Sequence, residues 1–223
     1  MTTTTIDLDT LHLKGGGHHG PESGACLLEA VSWFAGEPWS DRPACTSELL
    51  AAAGRSLNDA IKDQAERDAL KDLIPHLVGT ANDGLDEQRS AMAWAFYVNR
   101  WVPAWMRLTP ALADHVVALE AVDTTDKATT LATLRAAQKA SASAAAWAPA
   151  AARDAASAAA RDAAWDAAWA AARDAASAWA EVRAAAWDAV RAAARDALKQ
   201  TADDLRAEFT VVYRAMVMLE ATP

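Results

Sequence analysis

The residues best equipped for chemistry lie between His12 and Cys45: His12, Lys14, His18, His19, Glu22, Ser23, Cys26, Glu29, Glu37, Ser40, Asp41, Arg42 and Cys45, set around the run Gly15-Gly16-Gly17. Three chemistries fit these types. The first is anion or nucleotide binding. A glycine-rich loop that runs into a helix N-terminus aims free backbone N–H groups at one point, where the helix dipole favours negative charge. Lys14, Gly17, His18, His19 and Ser23 would line such a site, with Ser40 and Asp41 from the following loop. The segment carries neither the Gly-Lys-Ser/Thr of a P-loop nor a G-x-G-x-x-G after a strand, so the loop alone names no nucleotide.

The second chemistry is nucleophilic. Cys26 falls at the start of an expected helix, where the dipole lowers a thiol pKa, and His19 or His18 can fold back as its base with Glu29 as orienter. The third is a structural zinc held by His18 or His19 with Cys26 and Cys45. The ligand types suit zinc, but neither a C-x-x-C nor an H-x₃₋₅-H pair is present, so no cofactor is expected. H-E-x-x-H, G-x-S-x-G and a full EF-hand loop are also absent. Two polar pairs beside apolar helix faces, Asn58-Asp59 and Asn99-Arg100, either reach the same pocket or cap helix ends. Asn58, Asp59 and Arg100 are therefore added to the candidate ligand-binding set.

The elements that must position these groups read as helices. Residues 6–14 permit a short strand or an extended arm, with Ile6, Leu8, Leu11 and Leu13 as its apolar positions. Ser23 is the expected N-cap of a helix through Leu27, Val31 and Phe34 that Gly36 closes. Further helices are expected near 46–61 and 63–78, with a kink at Pro75, and the all-apolar run Met92–Val98 should stop before Pro103. Thr109-Pro110 should open the next helix, and another should run from Thr124 or Thr125 towards Pro149.

Beyond Pro149 the composition changes. All nine glycines lie at or before Gly84, and alanine makes up roughly half of residues 150–200. Arg-Asp-Ala-Ala recurs at 153, 161 and 173 with Trp-Asp-Ala-Ala at 165, in a run without glycine or proline that reads as helix. Leu198, Ala202, Leu205, Phe209, Val212, Met216 and Leu219 then follow a 4-3-4-3 spacing, the pattern of a heptad seam. The expected organisation is all-α: an arm and Gly/His loop over 1–22, a helical module over 23–149, and a long-helix region over 150–223.

Among 223 residues 52 % are hydrophobic and 23 % charged, with a net charge of −9, which permits a sizeable core and argues against a nucleic-acid polymer as partner. Residues 1–149 hold 12 basic and 19 acidic side chains, a net of −7, so the acidic character lies in the part that carries the candidate site. No apolar run is long enough to span a membrane and the start has no leader pattern, which leads to the expectation of a cytoplasmic chain with reduced thiols.

His19-Gly20, Gly24-Ala25-Cys26, Glu29, Ala35-Gly36-Glu37, Ser40-Asp41, Pro43 and Cys45 together resemble a family of uncharacterised actinobacterial and actinophage proteins. The likeness continues through Leu57-Asn58-Asp59, Gly79-Thr80, Arg89 and Pro103-Ala104-Trp105, and so covers about residues 10–110. The family commonly has histidine where Arg42 stands here, which weakens a zinc or acid–base role at that position. Its alanine/tryptophan tracts vary in content, which implies a spacer for residues 150–200. The resemblance fixes a region and not a reaction.

The function expected from the sequence is a non-catalytic binder of a small anionic molecule or a protein partner. Homo-oligomerisation through 150–221 is expected alongside. The alternatives are a hydrolase or transferase built on Cys26, His19 and Glu29, and a structural helical assembly protein.

Overall fold

The coordinates are a computed structural model that describes residues 7, 8, 10–145 and 195–220. The repeated tetrads and most of the alanine/tryptophan tract, with the association surface expected there, lie outside the described residues. The fold is all-α, and among the described residues the only extended pairing is a single parallel bridge between Leu13 and Ala25.

Two compact units divide the chain, one taking it through Arg89 and again from Thr210, the other taking Ser90–Phe209. In the first, α1 (Leu27–Phe34) begins at Cys26 rather than at Ser23. Cys26 has an extended backbone and its Sγ accepts from the Glu29 N–H, while the Glu29 side chain accepts from the Cys26 N–H. This is a capping box in which a thiol stands where serine or threonine usually does. Ser23 instead sits in a 3₁₀ turn, Pro21–Ser23, and its hydroxyl donates to the Gly20 carbonyl at 2.7 Å. Gly36, at φ +71°, ends the helix in the left-handed region that glycine enters without strain.

Ser47 caps α2 (Glu48–Ala60). The expected 63–78 helix is broken into α3 (Gln64–Asp68), a 3₁₀ stretch (Ala69–Leu73) and α4 (Ile74–Leu77). Pro75 does not kink a helix; it occupies the first turn of α4, where its missing N–H has no helical partner to lose. α1 packs on both α2 and α4. Leu27, Leu28, Val31, Leu50, Leu57, Leu73, Ile74 and Leu77 are wholly buried.

α5 (Asp86–Phe96), which enters the second unit at Ser90, runs into a π turn, Tyr97–Trp101, and on into α6 (Val102–Met106). The helical path does not stop before Pro103. The wider π turn resets the hydrogen-bond register so that Pro103 falls in the first turn of α6. Thr109 makes no side-chain cap, and Pro110–Leu112 forms a 3₁₀ turn before α7 (Ala113–Ala121). Tyr97, Val98, Val102, Met106, Leu112, Val116, Leu119 and, from α8 (Lys127–Ala145), Leu134 form one core cluster.

The final helix, α9 (Arg195–Val217), buries Leu198, Leu205, Phe209 and Met216 as the heptad spacing requires, but its stripe then turns. Val212 is half-buried and Tyr213 is wholly buried. A straight helix has 3.6 residues per turn, so a 3.5-residue seam drifts around it and the buried stripe advances by one position.

Candidate functional site

Of the candidate residues, Lys14, His18, Cys26, Glu29, Asn58 and Asp59 gather around the start of α1, where their polar atoms bind one another and the nearby main chain. Glu29, only 2 % exposed, holds three polar contacts with its two carboxylate oxygens. Oε1 takes the His18 N–H at 2.6 Å, and Oε2 takes His18 Nδ1 at 2.8 Å and the Cys26 N–H at 2.7 Å. Burial works against the ionised carboxyl, but the hydrogen bonds from Cys26 and His18 outweigh it and hold Glu29 below its ordinary range. The His18 carbonyl in turn accepts Trp39 Nε1 at 2.8 Å, so this residue is fixed at its N–H, its ring and its C=O. His19, by contrast, is exposed, and Glu29 orients His18.

Asn58 is wholly buried and ties the arm to α1. Its Oδ1 accepts the Leu27 N–H at 3.3 Å, and its Nδ2 donates to the Lys14 carbonyl at 2.8 Å and to Asp59 Oδ1 at 3.2 Å. Asp59 Oδ1 also accepts the Gly16 N–H at 2.7 Å. Lys14 Nζ donates to the Ser23 carbonyl at 3.0 Å. Gly17 is exposed. In the next loop Ser40 Oγ accepts the Arg42 N–H, its carbonyl accepts Ser32 Oγ, and Asp41 faces Arg55 at 3.7 Å. Arg100 belongs to the second unit, where it pairs with Glu208 at 3.0 Å, and its neighbour Asn99 donates to the Leu119 and Val122 carbonyls at the end of α7.

The thiol expected to be activated is not. Burial, above all, pushes the Cys26 pKa up to about 12, and the adjacent Glu29 charge adds to it. The dipole at one helix N-terminus does not offset that loss of water. Both cysteines are free thiols, and burial also raises Cys45. Among the described residues no three His, Cys, Asp or Glu side chains are grouped to hold a metal, and no helix is long and apolar enough to cross a membrane.

Sequence reasoning passed over Gln64, Asp68 and Trp39. Asp68 Oδ1 accepts the Leu13 N–H at 2.8 Å, and Gln64 Nε2 donates to the Leu13 carbonyl at 2.9 Å. Their i,i+4 spacing on one helix face is the signal that was available. Trp39 stacks at a tilt on Trp33, with ring centroids 6.1 Å apart, and Phe34 beside them is 40 % exposed.

The carboxyls that hold this region share one pH dependence. Glu29 and Asp68 lie below their ordinary values against the cost of burial, and Asp83 does so through its hydrogen bonds with Arg89. Stability from a lowered carboxyl is fully present above its unfolded value, about 4, and is lost as pH falls through the folded value. Melting temperature should therefore hold level from neutral pH to about 5 and fall steeply below about 4. Glu29→Gln should make that fall shallower. A melting temperature unchanged down to strong acid contradicts the assignment.

Fold and site together define an all-α protein in which a capped helix start gathers an N-terminal arm. Comparison of the chain with protein-family profiles, curated proteins and solved structures finds no match in any of the three.

Proposed function

We propose that the chain is a non-catalytic binding protein that recognises a protein partner through the face carrying Trp33, Phe34 and Trp39. One observation carries this reading. The groups suited to an anion or a nucleophile are used within the protein, while the neighbouring aromatics are left at the surface. The Gly16 and His18 amides, which an anion would need, already bind the Asp59 and Glu29 carboxylates. The α1 N-terminus is filled by Cys26, Glu29 and Asn58. Half-buried tryptophans beside an exposed phenylalanine have the composition of interface anchors.

Affinity capture from the source cells should retain one protein on the wild type and on Val117→Ser, which removes an exposed apolar group elsewhere. The same protein should be lost on Phe34→Asp. Equal capture by all three chains rejects this face as the site. The enzymatic alternative is read separately with iodoacetamide at neutral pH. Cys26 should stay unmodified in the folded chain and react once it is unfolded, because only thiolate attacks. Rapid alkylation of folded Cys26 would favour the alternative, a Cys26-dependent hydrolase or transferase, over the binder.

A further inference from the structure

The Leu11–Lys14 arm is seated by side chains rather than by a sheet. Lys71 Nζ donates to the Leu11 carbonyl at 2.8 Å, Asp68 accepts the Leu13 N–H, Gln64 donates to the Leu13 carbonyl, and Asn58 donates to the Lys14 carbonyl. Among the described residues, the main-chain partner of this stretch is Ala25, whose carbonyl accepts the Lys14 N–H at 2.8 Å. Leu13 is the one wholly buried side chain of the arm, while His12 and Lys14 stay exposed. His12 Nδ1 lies 2.7 Å from Asp68 Oδ2. This is how a groove recognises an extended peptide: main-chain bonds fix the register and one apolar pocket fixes the identity.

Between the docked Lys14 and the clamped His18 lie three exposed glycines. Gly16 is at φ +83°, and apart from its two chain neighbours no residue comes within 4 Å of where its Cβ would be. The arm therefore ends on a hinge that can redirect the chain without steric cost. The seat meets the arm with polar groups on both sides of Leu13: Asp68 faces the His12 ring, and the Ser23 carbonyl accepts Lys14 Nζ.

We infer that this arm exchanges between two copies of the chain, each groove holding Leu13 of the other copy. The contacts formed in trans are the ones formed in cis, so exchange costs only association entropy and the opening of the glycine hinge. Once one arm has crossed, the second crosses within the pair at high effective concentration. The inference rests on the arm and its seat and uses none of the Trp33–Trp39 aromatics, so it stands whether or not that face binds a protein.

Two full-length variants test it. Leu13→Asp spoils the arm and leaves the groove intact; Gln64→Ala with Asp68→Ala spoils the groove and leaves the arm intact. In the isotopically labelled groove variant alone, the Leu13 and Lys14 amides should exchange with solvent without protection. Adding unlabelled Leu13→Asp chain should slow them by about tenfold or more, because the intact arm then finds an intact groove. No change on mixing, with both variants still helical by circular dichroism, overturns the inference. If either variant fails to fold, wild-type exchange decides. The Leu13 and Lys14 amides should open at least about tenfold faster than those of Ala30 and Val31 in α1, and a synthetic peptide of residues 7–17 should displace the arm. Equal rates overturn the inference, because the arm would then leave only when the unit unfolds.

Discussion

Replacing Arg89 with methionine should lower stability by about 3 kcal/mol, the low end of the range for breaking a buried ion pair. Arg89 is wholly buried, and its guanidinium serves three elements at once. Nη1 and Nη2 donate to the two oxygens of Asp83 at 2.8 and 2.5 Å, and Nη1 also donates to Asp86 at 3.1 Å. Nε donates to the Met216 carbonyl in the last turn of α9 at 3.1 Å. Methionine fills most of the volume but leaves that carbonyl without this donor and both aspartates without their charged partner, although the Leu85 N–H still donates to Asp83 and the Ser47 hydroxyl to Asp86. The loss stays at the low end because Asp83 is 26 % exposed and Asp86 52 %, so both recover some water. Arg89→Lys keeps the charge but cannot span acceptors that diverge, and should recover less than half of the deficit. Urea unfolding reads both variants. A midpoint within experimental error of wild type would show that the guanidinium is not holding the helix end.

What the sequence disclosed about the fold, and what it hid, follows from the range of each interaction. Cys26 and Glu29 are three residues apart, and a capping box is a local pattern, yet the thiol disguised it and Ser23 was the more obvious cap. The helices themselves were legible because periodicity and alanine content act within one element. The tertiary bonds of Arg89 and Tyr213 were not, since the Met216 and Leu50 carbonyls they reach lie 127 and 163 residues away and no local pattern marks such a pair. At the candidate site the difficulty was of another kind. Lys14, Asn58 and Asp59 stood out in the sequence as candidate ligand-binding groups, but a buried polar group satisfied by main chain leaves the same trace in sequence as one aimed at a ligand. Only the coordinates show that their partners are the arm and the glycine loop. The i,i+4 pair Gln64 and Asp68 gave no sign of its partner, because the Leu13 backbone it binds has no side-chain signature at all.

Gly54→Ala should destabilise the first unit by about 1–3 kcal/mol, although the same change at an ordinary helix position stabilises by about 1 kcal/mol. Gly54 lies inside α2 and is buried. A methyl group there would fall well inside contact distance of Tyr213 Oη and within 2.9 Å of Leu28 Cδ2. Neither neighbour can yield cheaply. Leu28 is wholly buried, and the Tyr213 hydroxyl is held by the bond it donates to the Leu50 carbonyl at 3.1 Å. Burial also pushes the pKa of that hydroxyl up, so it remains a neutral donor throughout the working pH range. Tyr213→Phe removes the oxygen that the methyl meets and by itself forfeits one buried hydrogen bond, about 1 kcal/mol. If the close approach is the cause, the two changes should rescue each other, and the double variant should be more stable than the sum of the singles by at least about 1 kcal/mol. Strict additivity in a double-mutant cycle would place the cost of Gly54→Ala at Leu28 instead. A Gly54→Ala chain more stable than wild type would mean that α2 and α9 are not in contact across this glycine.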